Sequence, residues 1–300
     1  MSGTRESGKR LTALSSVKVK GINLNPQKSD GTLGGNINSQ LWAQWKWNAF
    51  IRPCIDLAVS LGANTVKISG GLGEEVLRGT LTMSQAITQY RQFLGYTAAK
   101  ELMVYDTSMN NGPTVGTQSA VLSVVAQVAA EIDRWPHVIA MDVWNEGLND
   151  YGTSGSLSLI AKLVETAKFS TTIPVTVSAH CAASASISSR AASLTPIVDF
   201  FDFHPYYSSH GLVSTADTSA IKTAGRYRPY LMGECGEDLA QFPQRPRWNA
   251  LGQIASDPAC FGSVGFCISD YDTSQIGIYD STLTTSRSGP VMSLAGWPAL

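Results

Sequence analysis

The chain has 300 residues, 43% of them hydrophobic, which is enough for one large core. Its 22 basic and 23 acidic residues are spread along the chain and give a formal net charge of −1, so neither nucleic acid nor an anionic membrane is expected as a partner. The longest apolar runs fall far below the ~20 residues that cross a bilayer, which predicts a soluble protein.

Short apolar or β-branched runs alternate along the chain with longer segments of helical periodicity. This alternation is typical of a parallel sheet with crossover helices. The predicted strands are Val17–Leu24, Thr65–Ser69, Leu102–Asp106, Val138–Asn145, Pro174–Ala179, Phe200–His204, Pro229–Glu234 and Val264–Ser269. Eight such units close a (β/α)8 barrel, so the sequence predicts a TIM barrel of the α/β class.

Helices are predicted between these strands. They are Pro53–Leu61, Ser84–Lys100, Gln118–Arg134, Leu157–Phe169, Ala183–Leu194, Thr218–Gly225, Trp248–Ser256 and a weak one near Val291–Ala295. Pro53 suits a first helical turn and disfavours helical angles at Arg52, which leaves Asn25–Ile51 as a long first loop. Gly62 is predicted to end the first helix.

The glycine-rich stretch Ser69–Gly73 has neither the G-x-G-x-x-G spacing of a dinucleotide site nor the lysine of a P-loop. It is predicted to be a flexible βα loop, which argues against an open doubly wound sheet. No repeat or linker interrupts the alternation. Residues 16–300 are therefore predicted to form a single barrel domain, after a flexible tail at residues 1–15.

The five cysteines include no closely spaced pair, so no zinc site is predicted. Cys54, Cys235 and Cys267 lie in apolar contexts and are expected to be buried thiols, while a disulfide between Cys260 and Cys267 stays open. No uncleaved signal peptide is visible. A cytoplasmic protein and a secreted one whose signal has been removed both remain possible, and the sequence leaves the oligomeric state open.

Two of the predicted strands end in a glutamate. Glu146 follows Asn145 at the end of the fourth strand, and Glu234 follows Gly233 at the end of the seventh. In a (β/α)8 barrel, catalytic groups project from the carboxyl ends of the strands. A carboxylate at the end of a buried strand is costly unless it is paired or functional, so the two glutamates are candidate catalytic residues.

Three segments carry a resemblance to a known family. They are Asp142-Val-Trp-Asn-Glu146, Phe201-Asp-Phe-His-Pro-Tyr206 and Tyr230-Leu-Met-Gly-Glu234. In order and spacing they resemble the fourth-, sixth- and seventh-strand motifs of clan A glycoside hydrolases, nearest to the cellulase and mannanase family 5. The resemblance implies a retaining glycosidase that acts on β-linked glycans by double displacement.

The resemblance assigns a role to each residue of these motifs. Glu146 would be the acid/base and Glu234 the nucleophile, with their carboxyl groups about 5–5.5 Å apart. Asn145 would bind the sugar 2-hydroxyl. Tyr206 would donate its phenol to Glu234, and His204 would orient the acid/base or hydrogen-bond within the sugar pocket.

Other positions depart from the family pattern. Lys67 stands on the second strand, where members usually carry an arginine that braces the nucleophile, and it lacks the bidentate fork. Tyr271 follows the eighth strand, which commonly ends in a tryptophan that forms the floor of the −1 subsite. Asp106 ends the third strand, where it would contact sugar hydroxyls or cap a loop.

Several aromatic and histidine side chains are predicted to lie near the carboxyl ends of the strands, at the mouth of the barrel, and most of them have two interpretations. Trp42, Trp45 and Trp47 lie in the first βα loop, where they would stack on sugar rings or pack on the barrel as one amphipathic turn. His180 at the end of the fifth strand is either substrate-binding or structural. Trp144 points opposite to Asn145 and is expected in the core.

The favoured hypothesis is thus a retaining β-glycosidase whose partner is an oligosaccharide or polysaccharide of the β-glucan or β-mannan type, without metal or organic cofactor. The alternative is a non-catalytic carbohydrate-binding barrel that lost turnover through the changes at Lys67 and the eighth strand. A metal-dependent hydrolase barrel is disfavoured, because the chain has only 4 histidines and no His-x-His pair.

Overall fold

The structure is a computed structural model, and it describes residues 18–24, 40–68, 71–107, 109, 116–148, 156–180, 187–208, 211–212, 215–237, 254 and 256–265. Several predictions concern residues outside these ranges. They are the tail at 1–15, Cys267, Tyr271, the helix near Val291–Ala295 and most of the helix at Trp248–Ser256.

The described strands build a nearly closed parallel barrel. They are β1 (Val19–Leu24), β2 (Thr65–Ile68), β3 (Met103–Thr107), β4 (Val138–Asp142), β5 (Val175–Thr176), β6 (Ser178–His180), β7 (Phe201–His204), β8 (Tyr206–Ser208), β9 (Gly211–Leu212), β10 (Tyr230–Glu237) and β11 (Cys260–Gly265). The barrel follows the order β5-β4-β3-β2-β1-β11-β10-β7-β6. Since β5 and β6 are halves of one predicted strand, these nine strands make eight staves, and the predicted (β/α)8 barrel is confirmed.

Helices occupy the connections between the barrel strands. They are α1 (Gln40–Ala43), a π-helical turn (Trp47–Ile51), α2 (Arg52–Ser60), α3 (Leu72–Leu77), α4 (Met83–Ala99), α5 (Gln118–Ile132), α6 (Ser156–Ser170), α7 (Ile187–Leu194) and α8 (Thr215–Ala224). Helix α4 begins with a capping box between Thr82 and Gln85, and Gly62 ends α2 at a φ of +81° as predicted. Within the described residues, no helix is long and apolar enough to cross a membrane.

The interior of the barrel changes from apolar to polar along its axis. One end is filled by an apolar cluster whose members are Val19, Tyr105, Ala140, Phe200, Leu231, Phe261 and Val264. Nearer the carboxyl ends of the strands, the buried side chains are polar or charged, and they include Asn23, Lys67, Asp142, Ser178, Asp202, His204 and Glu234. Burying charges is costly unless they are paired, and active sites of barrels lie at the carboxyl ends of the strands, so this polar layer is the candidate active site.

Some local predictions were wrong. The stretch Ser69–Gly73 was predicted to be a flexible loop, but its last two residues belong to α3, which begins at Leu72. Leu72 is 2% exposed, and its packing in the core stabilises the first turn of this helix. The long first loop contains α1 and the π-helical turn, whose Phe50 and Ile51 are buried. Arg52 is helical, with φ −59° and ψ −49°, because the turn continues directly into α2.

Strand ends also moved. β11 begins at Cys260, four residues before the predicted Val264, and β4 ends at Asp142, before Asn145 and Glu146. Two cysteine predictions are confirmed, since Cys54 and Cys235 are buried free thiols. Cys260 is also a free thiol, and its Sγ donates to the carbonyl of Gly262 at 3.2 Å.

Candidate active site

Glu234 reaches the barrel interior because of an irregularity in β10. From Met232 to Cys235 the strand advances three residues, while β11 advances only two, from Ser263 to Gly265. The extra residue is a β-bulge, a device that re-aims side chains. Cys235 packs in the outer core, whereas Glu234 turns inward and is 4% exposed.

Inside the barrel, Glu234 meets one cation and one amide. Lys67 Nζ donates to Glu234 Oε1 at 2.9 Å, and Asn23 Nδ2 donates to the same oxygen at 3.2 Å. Lys67 itself is 0% exposed, and its ammonium lies 5.2 Å from the centre of the Tyr105 ring. The predicted contact between Lys67 and Glu234 is therefore present, with a single donor atom in place of a guanidinium fork.

The charge of Lys67 is secured by its surroundings. Burial alone lowers the pKa of this lysine, but the carboxylates of Glu234, Asp202 and Asp142 more than offset that effect, so its pKa is raised. Lys67 is thus a permanent positive charge at neutral pH. It stands beside the carboxylate that the sequence predicted to be the nucleophile.

His204 lies between the two candidate glutamates. Its Nδ1 is 3.1 Å from Glu146 Oε1 and 3.7 Å from Glu234 Oε2. Its Nε2 is 3.4 Å from Asp202 Oδ2 and 3.3 Å from Lys67 Nζ. One fully buried imidazole therefore connects both strand-end glutamates to the polar layer.

His204 carries a positive charge over a wide pH range. Burial lowers the pKa of the imidazole and the nearby Lys67 opposes its protonation, but Glu234 and Asp202 outweigh both and raise the pKa to about 10. At neutral pH both ring nitrogens are then donors. Nδ1–H points to Glu146 and Nε2–H to Asp202.

Asp202 holds three neighbours in place from the middle of the barrel. The Tyr105 hydroxyl donates to Asp202 Oδ2, and the amide of Gly233 donates to Asp202 Oδ1 at 2.7 Å. Nε2 of His204 is the third neighbour. A Cβ at Gly233 would overlap the carboxylate of Asp202, so only glycine fits before Glu234. The Gly-Glu pair of the sequence thus has a steric cause.

Glu146 stands on the turn that follows β4. Its φ is +52°, an uncommon left-handed conformation for a residue with a side chain. The amide of Asn145 donates to the carbonyl of Met109, and the amide of Glu146 donates to Ser178 Oγ, both at 2.7 Å. The side chain of Glu146 is 28% exposed, against 5% for that of Glu234, so Glu146 is the carboxylate nearer to solvent.

Asn145 presents an open hydrogen-bonding group. Its Oδ1 is buried and has no hydrogen-bond partner among the described residues. A buried amide oxygen without a partner costs free energy that a ligand hydroxyl can recover. The role of Asn145 as a sugar contact stays a prediction.

Not every predicted site residue joins this group. His180 pairs in register with His204 on the neighbouring strand, so its side chain is on the same face of the sheet. Asp106 accepts a hydrogen bond from the Tyr90 hydroxyl of α4, on the face of β3 opposite to Tyr105. Tyr206 lies in β8 beside Gly236 of β10, and its side chain is outside the described structure, as is all of Tyr271.

The tryptophans of the first loop pack on α4. The ring of Trp42, which is 2% exposed, stacks on Trp45 at 5.0 Å and meets the edge of Tyr90 at 5.6 Å. Trp45 stacks in turn on Trp47 at 6.0 Å and donates to Gln92 at 2.8 Å. These contacts fit the interpretation in which the three tryptophans pack on the barrel. Trp144, 5% exposed, lies in the core as expected.

Four members of the polar layer were missed at the sequence level. They are Asn23, Asp142, Ser178 and Asp202. Each is a polar residue between two apolar neighbours in a predicted strand, and this signal could have marked them. Which face of the strand they occupy, and which residues they meet, depends on pairing between distant strands.

The donor atoms of Glu146, His204 and Glu234 lie within 4.8 Å of one another, a spacing that a metal ion could also use. The ammonium of Lys67 already lies 2.9 Å from one of these carboxylates and 3.3 Å from the histidine. A divalent cation would be repelled by this fixed charge. The arrangement favours proton transfer and nucleophilic chemistry.

No protein-family model and no curated protein matches the chain. Among solved structures, the barrel superposes on GH5_18 from Streptomyces cattleya in complex with GlcNAc, with a TM-score of 0.69 at 14% identity over 93% of this chain and 77% of that one. The catalytic domain of the major endoglucanase from Xanthomonas campestris pv. campestris gives 0.67 at 14% identity over 95% of both chains. This chain has their fold.

A third similar structure is β-glucuronidase 2 from Bacteroides uniformis, with a TM-score of 0.65 at 15% identity over 94% of this chain. The chain spans only 35% of the length of that enzyme. The resemblance to clan A barrels that the motifs indicated is thus confirmed at the level of the fold.

The protonated state of His204 predicts a pH-dependent stability. Its pKa rises from 6.5 to about 10 on folding, so its contribution is complete below pH 6.5 and is lost as pH rises through about 10. The free energy of unfolding should therefore fall between about pH 7 and 8, a window above the pKa of unfolded histidine and below those of unfolded cysteine and tyrosine. Urea denaturation should give a flatter profile for His204→Gln, and an equal slope in both proteins would contradict the assignment.

The tight contact between Gly233 and Asp202 predicts that Gly233→Ala destabilises the protein by about 1–3 kcal/mol and displaces Glu234. Gly95→Ala in α4 is the matched control, because the nearest atom to its added Cβ is 4.0 Å away in Trp135. That substitution should leave stability unchanged or raise it by up to about 1 kcal/mol. Urea denaturation compares the two, and a Gly233→Ala variant as stable as wild type would refute the steric argument.

Proposed function

We propose that this protein is a retaining β-glycosidase in which Glu146 is the acid/base and Glu234 the nucleophile. The observation that carries the proposal is the position of His204, whose Nδ1 lies 3.1 Å from one glutamate and 3.7 Å from the other at the carboxyl ends of their strands. Two carboxylates share one mouth but have different surroundings. That difference is what acid and nucleophile roles at a single pH need.

Glu234 suits the nucleophile. It is buried, its Oε1 is held by Lys67 and Asn23, and its Oε2 lies on the side of His204. Two positive groups beside the carboxylate favour the anionic form that attacks a sugar carbon. Lys67 and Asn23 both hold Oε1, so Oε2 is the oxygen proposed to form the glycosyl bond.

Glu146 suits the acid/base. It is the more exposed carboxylate, and His204 contacts its Oε1. Nδ1–H of His204 faces Oε1, and Oε2 is the oxygen proposed to donate the proton. An acid must donate to the leaving oxygen and then, as a base, take a proton from water, which requires access to solvent.

The reaction then follows from these positions. Glu146 gives its proton to the glycosidic oxygen while Glu234 attacks the anomeric carbon, and the bond to the leaving group breaks as the glycosyl ester forms. Water next gives a proton to Glu146 and attacks the same carbon, which releases Glu234. In this proposal Asn145 binds the 2-hydroxyl, while the role predicted for Tyr206 concerns a side chain outside the described structure.

The close spacing supports retention of the anomeric configuration. One carboxyl oxygen of Glu146 and one of Glu234 lie within 4.8 Å of each other, whereas the carboxyl groups of an inverting pair are about 6.5–9.5 Å apart to leave room for water. Direct attack by a carboxylate is therefore favoured over attack by a water held between the two.

The proposed substrate is an uncharged β-linked glycan of the glucan or mannan type. The net charge of the chain is only −1, which suits an uncharged substrate. Similar structures include an exo-β-1,4-mannosidase from an Opitutaceae bacterium and a broad-specificity GH5-4 endoglucanase, at 15% and 14% identity. The substrate is thus proposed by class.

The alternative of a non-catalytic carbohydrate-binding barrel rested on the replacement of arginine by lysine and on the altered eighth strand. Lys67 contacts Glu234 at 2.9 Å, so the replacement leaves the cation where a nucleophile needs it. This contact favours the enzyme.

Substitution of the two glutamates tests the proposal directly. Glu234→Gln should lower turnover of aryl β-glucosides or β-mannosides by at least about a thousandfold, because the amide cannot form the ester. Glu146→Ala should lose about 10²–10⁴-fold on substrates with poor leaving groups and much less on dinitrophenyl glycosides, where azide should restore the rate. Steady-state kinetics and proton NMR of the first product measure both effects.

The control is Glu131→Gln, which changes a buried acid on α5 that pairs with Arg91 at 2.8 Å outside the barrel. It should keep wild-type turnover. Near wild-type activity in Glu234→Gln, or an inverted first product, would remove the proposed mechanism.

Lys67 provides a second test. Lys67→Met removes the cation from a buried pair and leaves Glu234 as an uncompensated charge. The free energy of unfolding should therefore fall by about 3–5 kcal/mol, and turnover should fall as well. The double variant Lys67→Met/Glu234→Gln should recover part of the stability. Lys100→Met removes a partly exposed partner of Asp56 and should change little. If Lys67→Met and Lys100→Met behave alike in urea denaturation, the pairing argument fails.

A further inference from the structure

The backbone of Glu146 has an uncommon conformation that neighbouring residues must stabilise. Its φ of +52° lies in the left-handed region, which glycine enters freely and residues with a Cβ avoid. Such conformations persist when the surroundings fix them. The side chain of an acid/base leaves its Cα in a direction that depends on this angle, so the support of the backbone decides where the proton is delivered.

Ser178 provides that support from the next barrel stave. Its Oγ accepts a hydrogen bond from the amide of Glu146 at 2.7 Å. The same Oγ donates to Asp142 Oδ2, also at 2.7 Å. Because the serine proton is committed to Asp142, a lone pair of Oγ is left to face the amide of Glu146.

Asp142 is fixed as firmly as the serine that it orients. Its Oδ1 accepts from the amides of Trp144 and Ser178, each at 3.1 Å, and the residue is 0% exposed. It therefore joins the end of β4 to the start of β6. Burial raises the pKa of Asp142 to about 7, despite the opposing effect of Lys67, but its protonated carboxyl can still hydrogen-bond Ser178 Oγ.

We infer that Ser178, oriented by Asp142, is a positioning residue for the acid/base: it holds the amide of Glu146 so that the carboxyl group meets the leaving oxygen. This inference rests on the proposed function. It adds two residues that touch neither substrate nor reacting atoms, and it predicts that their loss impairs proton donation while the attack by Glu234 is retained.

The test is the dependence of rate on the leaving group. In a series of aryl β-glycosides, Ser178→Ala should lower kcat/KM about 10–100-fold for leaving groups of high pKa and less than about threefold for dinitrophenol, whose departure needs no proton. The plot of log kcat/KM against leaving-group pKa should become steeper than in wild type and less steep than in Glu146→Ala. Ser178→Thr keeps the hydroxyl and should restore the wild-type slope.

Thr176→Val is the matched control for general damage to this stave. Thr176 Oγ1 is also buried in the barrel, but it donates to the carbonyl of Phe200 at 2.8 Å and does not contact Glu146. The variant should lose stability in urea denaturation and keep the wild-type slope. Ser178→Ala should combine a similar loss of stability with the steeper slope.

The outcomes separate this inference from the proposed function. An equal loss for all leaving groups in Ser178→Ala, or no loss at all, would overturn the positioning role while Glu146 and Glu234 kept theirs. Wild-type protein without turnover, or Glu234→Gln with full activity, would instead remove the proposed function and this inference with it.

Discussion

The buried pair between Lys67 and Glu234 is the interaction on which the rest of the site depends. Both residues are almost inaccessible to solvent, at 0% and 4% exposure, so neither charge could stay there without the other. Their attraction is extended by His204, which is cationic because Glu234 and Asp202 face it. The charges of the polar layer stabilise one another, and the apolar cluster fills the other end of the barrel.

Two aspartates shape the backbone around the candidate glutamates. Asp202 holds the amide of Gly233 at 2.7 Å, directly before Glu234, and Asp142 orients the serine that holds the amide of Glu146. In both cases a buried carboxylate accepts donors from main chain that has left regular strand geometry. Irregular backbone at these two points is thus satisfied by hydrogen bonds, as buried amides require.

Much of the fold was accessible from the sequence because its signals are local. Apolar runs and helical periodicity located the barrel strands, although β4 ends at Asp142, before Glu146, and β10 continues past Glu234 to Glu237. The predictions failed where packing overrides local preference. The helix at Leu72–Leu77 forms across a glycine-rich start because Leu72 is buried, and Arg52 is helical before a proline because a π-helical turn leads into it.

The sequence by itself determined the type of barrel, because apolar runs and helical periodicity are local signals. The two glutamates were proposed because each ends a predicted strand, and the resemblance of three motifs to clan A glycoside hydrolases added Asn145 and His204. Only the tertiary structure decided which side chains meet. The contact of Lys67 with Glu234 spans 167 positions of the chain, and it exists because a bulge in β10 turns that glutamate inward. Asp142, Ser178 and Asp202 acquire their roles in the same way, through register between strands, which no local pattern of residues encodes.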